Sequence, residues 1–265
     1  MGCQIGSSNT PHFTHAVVRQ VADTLHKCVR VYSAREEVDI SLARKQHDLY
    51  CDALQRRTLK LIRVPADNSF PDCVFVEDPA IVYRQNAVIC RMGARSRVGE
   101  IEGVRKTLSS LFKNTVTIRP PATIEGGDVL KVDSDLFIGV TSRTNMEGVN
   151  QLKETLKNEE CHVTPVRVEK ILHFKSACSY IGDHYIVANP GYFDLGVLSS
   201  FNLILLPKEE AYAANCLAVN GTVFVSKGYP VTRNLIEKEG FTTEELDVSE
   251  FKKCEGSLTC LSILF

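Results

Sequence analysis

A thiol, an imidazole and several carboxylates stand in this sequence at the heads of short apolar runs, where strands begin. Asp72, Glu77 and Asp78 lead one such run, and Glu125 and Asp128 lead the next. His173-Phe-Lys-Ser176 precedes a third, and Glu255-Gly-Ser-Leu-Thr-Cys260 opens the last. Runs arranged around an axis bring their leading residues together at one end. A cysteine, a histidine and several acids converging on one cavity suit nucleophilic catalysis on a cationic substrate. Most of the ten cysteines have a plainer reading. They are dispersed, form no CxxC pair and show no zinc-ligand spacing, and several lie inside apolar runs, where a free thiol packs as a small hydrophobe. The histidines other than His173 are likewise read as structural.

The elements that must position these groups repeat along the chain. Residues 72–83, 125–140, 176–188 and 213–226 each read as an apolar run, a polar break and a second apolar run. Asn220-Gly221 in the last of these is a hairpin signal. A further unit over 256–265 holds one strand, and Thr14–Arg19 supplies the strand that closes a ring and removes exposed sheet edges. A repeat of roughly 35–55 residues predicts a propeller-like array. Helical patterns fall at 36–57, with Val38, Leu42, Leu49 and Leu54 on one face, and at 98–112 and 145–157. The reading is one α/β domain of ββα-type modules over residues 12–265, preceded by a flexible tail at 1–11.

Composition narrows the partners. The 265 residues are 44% hydrophobic and 24% charged, with a formal net charge of −1. A balance near zero with no basic run gives no electrostatic ground for nucleic acid or an anionic membrane as partner. No apolar run approaches the ~18 residues of a membrane span. The N-terminus has no signal-peptide pattern, so a cytoplasmic, reducing setting with free thiols is expected. Gly2 and Cys3 carry only a weak acylation pattern, because Gly6 stands where Ser or Thr is usual. Dinucleotide and phosphate-loop signatures are absent, and no cofactor is expected.

Six segments carry a more specific signal: Thr14-His-Ala-Val-Val-Arg19, Asp72-Cys-Val-Phe-Val-Glu-Asp78, Glu125-Gly-Gly-Asp-Val-Leu130, Ser142-Arg-Thr-Asn145, Leu172-His-Phe-Lys-Ser176 and Leu258-Thr-Cys260. In order and spacing the chain resembles the dimethylarginine dimethylaminohydrolase family over residues 12–265. The resemblance implies a five-bladed α/β propeller, the pentein fold, built of ββαβ-type modules around a central active-site channel. It implies hydrolysis of asymmetric dimethylarginine or monomethylarginine to citrulline and di- or monomethylamine, with a place in arginine metabolism and nitric oxide regulation. Cys260 is implied as nucleophile, His173 as proton carrier and Glu125 as its orienter. Glu77 and Asp78 are implied to hold the guanidinium, Arg97 and Arg143 the substrate carboxylate, and Asp72 the α-amino group. The partner is then a small methylated arginine, bound by a monomer or homodimer. No metal is required, and zinc at Cys260 and His173 would inhibit by masking the thiolate. Two positions depart from the family pattern. Glu255 stands where Asp is usual, beside the guanidinium, and Arg30 replaces an apolar residue in a segment, 24–30, that aligns with a mobile lid.

The chemistry can be reasoned without the resemblance. A guanidinium carbon is poorly electrophilic because its charge is delocalised, and an amine leaves poorly. A sulfur nucleophile splits the difficulty into two steps through a thiouronium-type adduct. A neighbouring cation favours the thiolate. His173 would protonate the departing amine and then take a proton from water, while Glu125 holds the ring as an acid does in other triads. Planar charged acceptors suit a guanidinium, and a carboxylate clamp rejects substrates without a free amino-acid backbone. An arginine deiminase or amidinotransferase needs the same set, and a catalytically silent homologue that binds arginine derivatives shares the frame. The compact length favours the methylarginine hydrolase.

Overall fold

A computed structural model describes residues 10–31 and 36–265. Its strands form five three-stranded sheets. The first joins Ile263–Leu264, His15–Arg19 and Lys60–Val64; the second Ala80–Tyr83, Asn86–Ile89 and Asn114–Thr117. The third holds Val129–Val132, Asp135–Val140 and His162–Arg167; the fourth Cys178–Gly182, Tyr185–Ala188 and Asn202–Leu205; the fifth Leu217–Val219, Thr222–Ser226 and Thr243–Leu246. In every sheet the middle strand pairs antiparallel with the first-named strand and parallel with the last. In the sheets after the first a short turn makes the antiparallel pair, in the first the chain's two end strands make it, and the parallel partner needs a crossover. Helices Ile40–Arg56, Ile101–Leu111, Met146–Thr155 and Pro230–Lys238 supply four crossovers, and a 3₁₀ turn at Leu195–Leu198 the other. The first-named strands of all five sheets line a single axial cavity of about 520 Å³. This is the α/β propeller expected from the repeats.

Thr14–Arg19 closes the ring as expected. Ala16 pairs with Leu264 and Val17 with Ile263, and the Thr14 and His15 N–H groups donate to Phe265 O at 2.9 and 2.8 Å. The Asn220-Gly221 turn has φ of 43° and 87°, the left-handed pair that matches hairpin twist. The last residues of the segment 1–11 meet this turn. Residues 1–9 lie outside the described residues, but Asn220 N–H donates to Pro11 O at 3.1 Å and Gly221 N–H to Thr10 Oγ1 at 2.5 Å.

Two expectations need correction. The run Cys73–Val76 forms turns rather than a strand, and the second sheet's hairpin starts at Ala80. The chemistry-bearing residues therefore sit in turns that feed the inner strands, which leaves their side chains free of sheet alternation. The helix Ile40–Arg56 also buries a different face, made of Ala43, Gln46, His47, Tyr50, Cys51 and Leu54, while Leu42 and Leu49 are 36% and 50% exposed. Gln46 tolerates burial because its side chain donates to Ser249 Oγ at 2.8 Å and accepts from Glu250 N–H at 3.1 Å. His47 tolerates it by shedding charge, since burial lowers its pKa to about 4. A hydrophobic period does not register such residues. Among the described residues no helix is long and apolar enough to cross a membrane.

Candidate active site

Two turns meet backbone to backbone. Gly126 N–H donates to Asp78 O at 3.0 Å, and a Cβ on Gly126 would stand 2.1 Å from Glu77 O. A Cβ on Gly127 would stand 2.7 Å from Asp78 Oδ1 and 2.8 Å from the His173 ring, so only glycine admits this approach. Behind them the buried Asp128 accepts from Phe174 N–H at 2.9 Å, Thr141 Oγ1 at 2.8 Å and Thr144 Oγ1 at 2.6 Å. It thereby ties the turn carrying His173 to the loop carrying Arg143. Asn145 fixes the other end of that loop by capping the helix Met146–Thr155, its Oδ1 accepting from Gly148 N–H at 2.9 Å.

His173 Nε2 lies 2.7 Å from Glu125 Oε2, both side chains buried. The other Glu125 oxygen accepts from the N–H groups of Gly93 and Ala94 at 2.9 and 3.4 Å. Burial by itself lowers the pKa of His173, but the charges of Asp78, Glu125 and Asp128 prevail and raise it to about 9. The ring is an imidazolium at neutral pH. Burial pushes Glu125 up, yet its bond to His173 and that ring's charge carry it below the ordinary range. Asp78 accepts from Gly127 N–H at 3.1 Å and from Arg97 Nη1 at 2.7 Å. It is held low against burial by His173 and Arg97.

Cys260, His173, Asp78, Asp72, Arg97, Arg143 and Glu255 line one cavity of about 20 Å³. Glu125 stands behind His173. Glu77 is not brought in: its carboxylate takes a Lys175 ammonium and the Thr259 hydroxyl, the latter at 2.8 Å, and it lines the axial cavity instead. Consecutive acids thus face two different spaces, which the sequence pair Glu77-Asp78 does not reveal. Arg97 is largely committed. Its Nε and Nη2 donate to Glu100 at 3.1 and 2.6 Å, Nη2 also to Phe75 O at 3.5 Å, and Nη1 to Asp78. One of its N–H groups is left over. Glu100, raised to about 7 by burial against the pull of Arg97, was not singled out from the sequence; its three-residue spacing from Arg97 was the available signal. Arg143 differs. Its buried Nη1 has no hydrogen-bond partner among the described residues, with Glu125 Oε1 3.8 Å away. An unpaired buried guanidinium N–H is unfavourable and suits an incoming carboxylate.

The nucleophile candidate lies in a 3₁₀ turn, Thr259–Leu261, which places its sulfur 3.4 Å from the Ser257 N–H that donates to it. Burial and the charges of Glu77 and Asp78 push the thiol up, so the resting group is protonated. Two acids of the cavity hold the segment expected to act as a lid and the residue after it. Val29 N–H donates to Asp72 at 3.2 Å and Val31 N–H to Glu255 at 3.0 Å. Among the described residues, ligand atoms spaced for a metal belong to Asp78, Glu125 and His173, all within 4.8 Å, and exclude Cys260. The hydrogen bonds above already occupy these three side chains.

Five small sheets in a ring are the pentein fold of hydrolases that act on C–N bonds. The family model described as N,N dimethylarginine dimethylhydrolase, eukaryotic, matches residues 14–196. An N(G),N(G)-dimethylarginine dimethylaminohydrolase of Pseudomonas aeruginosa is 36% identical over 96% of this chain and 100% of its own length. A crystal structure of the Pseudomonas aeruginosa enzyme in complex with citrulline superposes with a TM-score of 0.91 at 35% identity, covering 96% of this chain and all of that one. The N-terminal domain of a cyanobacterial arginine dihydrolase shares the fold, with a TM-score of 0.87 at 17% identity over 94% of this chain and 96% of its own. The chain belongs to the dimethylarginine dimethylaminohydrolase family.

Proposed function

We propose that the protein hydrolyses asymmetric dimethylarginine and monomethylarginine to citrulline and the methylated amine through a Cys260 adduct. The observation that carries this reading is the buried 2.7 Å His173–Glu125 bond beside the cavity that Cys260 also lines. Arg143, with its unpartnered Nη1, takes the substrate carboxylate, and Asp72 the α-ammonium. Asp78 and Glu255 accept the guanidinium N–H groups. The arriving cation offsets the acids that hold the Cys260 thiol protonated, and the sulfur loses its proton to solvent and attacks the guanidinium carbon. His173 enters the reaction already protonated and gives that proton to the departing amine, then accepts one from the water that resolves the adduct. Glu125 keeps the ring in place. Arg97 acts chiefly by fixing Asp78, and Glu77 braces the Cys260 turn through Thr259. Beyond the sulfur lies a second cavity of about 310 Å³ that Cys260 and Glu255 also border, which supports an exit for the amine. The nine free thiols of the described residues support a reducing, cytoplasmic setting.

The test is citrulline release from arginine and its methylated forms, with the amine identified, beside Cys260→Ser. Dimethylamine and methylamine are expected, with the variant silent. Ammonia from unmodified arginine as the main product, or no citrulline from any substrate, overturns the proposal.

A further inference from the structure

Between the Cys260 turn and the His173 turn lies a side chain with no part in the roles assigned above. Asn215 follows the 3₁₀ stretch Lys208–Ala214 and is buried. Its Oδ1 accepts from Thr259 N–H at 3.0 Å, while its Nδ2 donates to Thr259 Oγ1 at 3.1 Å and to Lys175 O at 3.0 Å. Both Nδ2 hydrogens are thereby used. Turned over, the amide would set Oδ1 against Lys175 O and Nδ2 against Thr259 N–H, so one orientation alone fits. Thr259 opens the 3₁₀ turn that carries Cys260, and Lys175 lies in the turn Phe174–Ser176 that His173 leads. One amide therefore holds the backbone of both turns. Glu77 completes the connection. The Lys175 ammonium and the Thr259 hydroxyl donate to its carboxylate, the latter at 2.8 Å, and its own N–H donates to Cys260 O at 3.2 Å. A closed ring of hydrogen bonds thus runs through Asn215, Thr259, Glu77 and Lys175. Asn215 is steadied in turn by its neighbour, since Cys216 N–H donates to the buried Ser179 Oγ at 3.0 Å. A buried polar network whose members are paired is rigid.

We propose that Asn215 is a positioning residue that sets the Cys260 turn against the His173 turn for catalysis. The effect on turnover rests on the catalytic reading above. The small cavity that Cys260 shares with Asp72, Asp78, Arg97 and Arg143 is lined without Asn215, which borders the 310 Å³ cavity with Cys260 instead. The residue therefore acts through the two turns and leaves the grip on the amino-acid end of the substrate to Arg143 and Asp72. Both halves of the reaction need the turns in register. The sulfur must reach the guanidinium carbon where His173 can protonate the departing amine, and His173 must then reach the water that attacks the same carbon. A shift of about 1 Å between such groups costs about 10²-fold in rate. Truncating the amide would leave Thr259 N–H and Lys175 O without their partner and free the turns to shift.

The test compares Asn215→Ala and Asn215→Asp with the parent in steady-state kinetics on asymmetric dimethylarginine, at a temperature where each is folded. Amide hydrogen exchange at Thr259 is followed in parallel. Asn215→Ala should lower kcat about 10–10²-fold with KM within about twofold, and should speed exchange at Thr259. Asn215→Asp has the same shape and keeps an acceptor for Thr259 N–H, but it sets an oxygen against Lys175 O where Nδ2 stood. Its exchange at Thr259 should stay slow while kcat still falls. A side chain serving stability alone would lower the unfolding midpoint and leave the kcat of folded molecules unchanged. That result, a KM that rises in step with the loss of kcat, or full kcat in Asn215→Asp overturns the proposal. If Asn215→Ala does not fold, Asn215→Asp decides by itself. A parent chain that never releases citrulline sinks the catalytic reading instead. Unchanged exchange at Thr259 in Asn215→Ala would then overturn the positioning role, and faster exchange would uphold it.

Discussion

The two walls of the cavity are built to opposite specifications. On one, His173, Glu125, Asp78 and Arg97 are buried and joined by charge-assisted bonds of 2.7 Å, with Glu100 fastening Arg97 at 2.6 Å. On the other, the lid rests on two backbone N–H donors at 3.2 and 3.0 Å, and both acceptors are also proposed to receive substrate. Proton transfer and charge stabilisation require groups fixed before the reaction starts. Entry requires ties that a ligand can displace. The acid–base wall is thus made of short bonds between buried charges, and the lid is tied by longer bonds to acceptors that the substrate also claims.

Breaking the fixed wall should have the largest effect. Glu125→Gln leaves His173 in place without its carboxylate, and steady-state kinetics should show kcat reduced about 10²–10⁴-fold with KM little changed. Arg97→Met strands two buried carboxylates, Asp78 and Glu100, and should lower unfolding stability by about 3–5 kcal/mol in a denaturant titration. The pH dependence sharpens the contrast further. His173 is raised from 6.5 to about 9, so its contribution to stability is fully present below pH 6.5 and is lost as pH rises through about 9. The rate of amine expulsion should fall through the same alkaline range, because the general acid has lost its proton. The smallest effect belongs to the lid. Glu255→Gln weakens a single tie, worth about 0.5–1.5 kcal/mol, and should speed hydrogen exchange at Val31 while leaving the stability of the His173 wall unchanged. Equal responses from both walls would dissolve the distinction.

The ring was legible in the sequence because each blade repeats one hairpin pattern, and Thr14–Arg19 was legible as the missing strand because a lone strand at 263–264 needs a neighbour. Cys260, His173, Asp72, Asp78, Arg143 and Glu255 were found by motif and share one cavity. The Glu77–Lys175 contact was not, since pairing between distant turns leaves no periodic trace, and Glu100 was passed over although it stands three residues from Arg97. Asp128 stood out as a polar strand head, yet its tie to Phe174 N–H becomes visible only once two blades are side by side. Leu42 and Leu49 were placed on the buried face, and Gln46 and His47 were not, because a polar side chain satisfied in burial leaves no mark in a hydropathy pattern.

The strand that seals the circle, Ile263–Leu264, begins just beyond the Cys260 turn and joins His15–Arg19 across almost the whole described chain. Closing so long a loop costs chain entropy before the contact repays it. The sulfur has its acidic surroundings only in a chain whose two ends have met. An incompletely folded molecule has the thiol but no site around it, so assembly and catalytic competence arrive as one event.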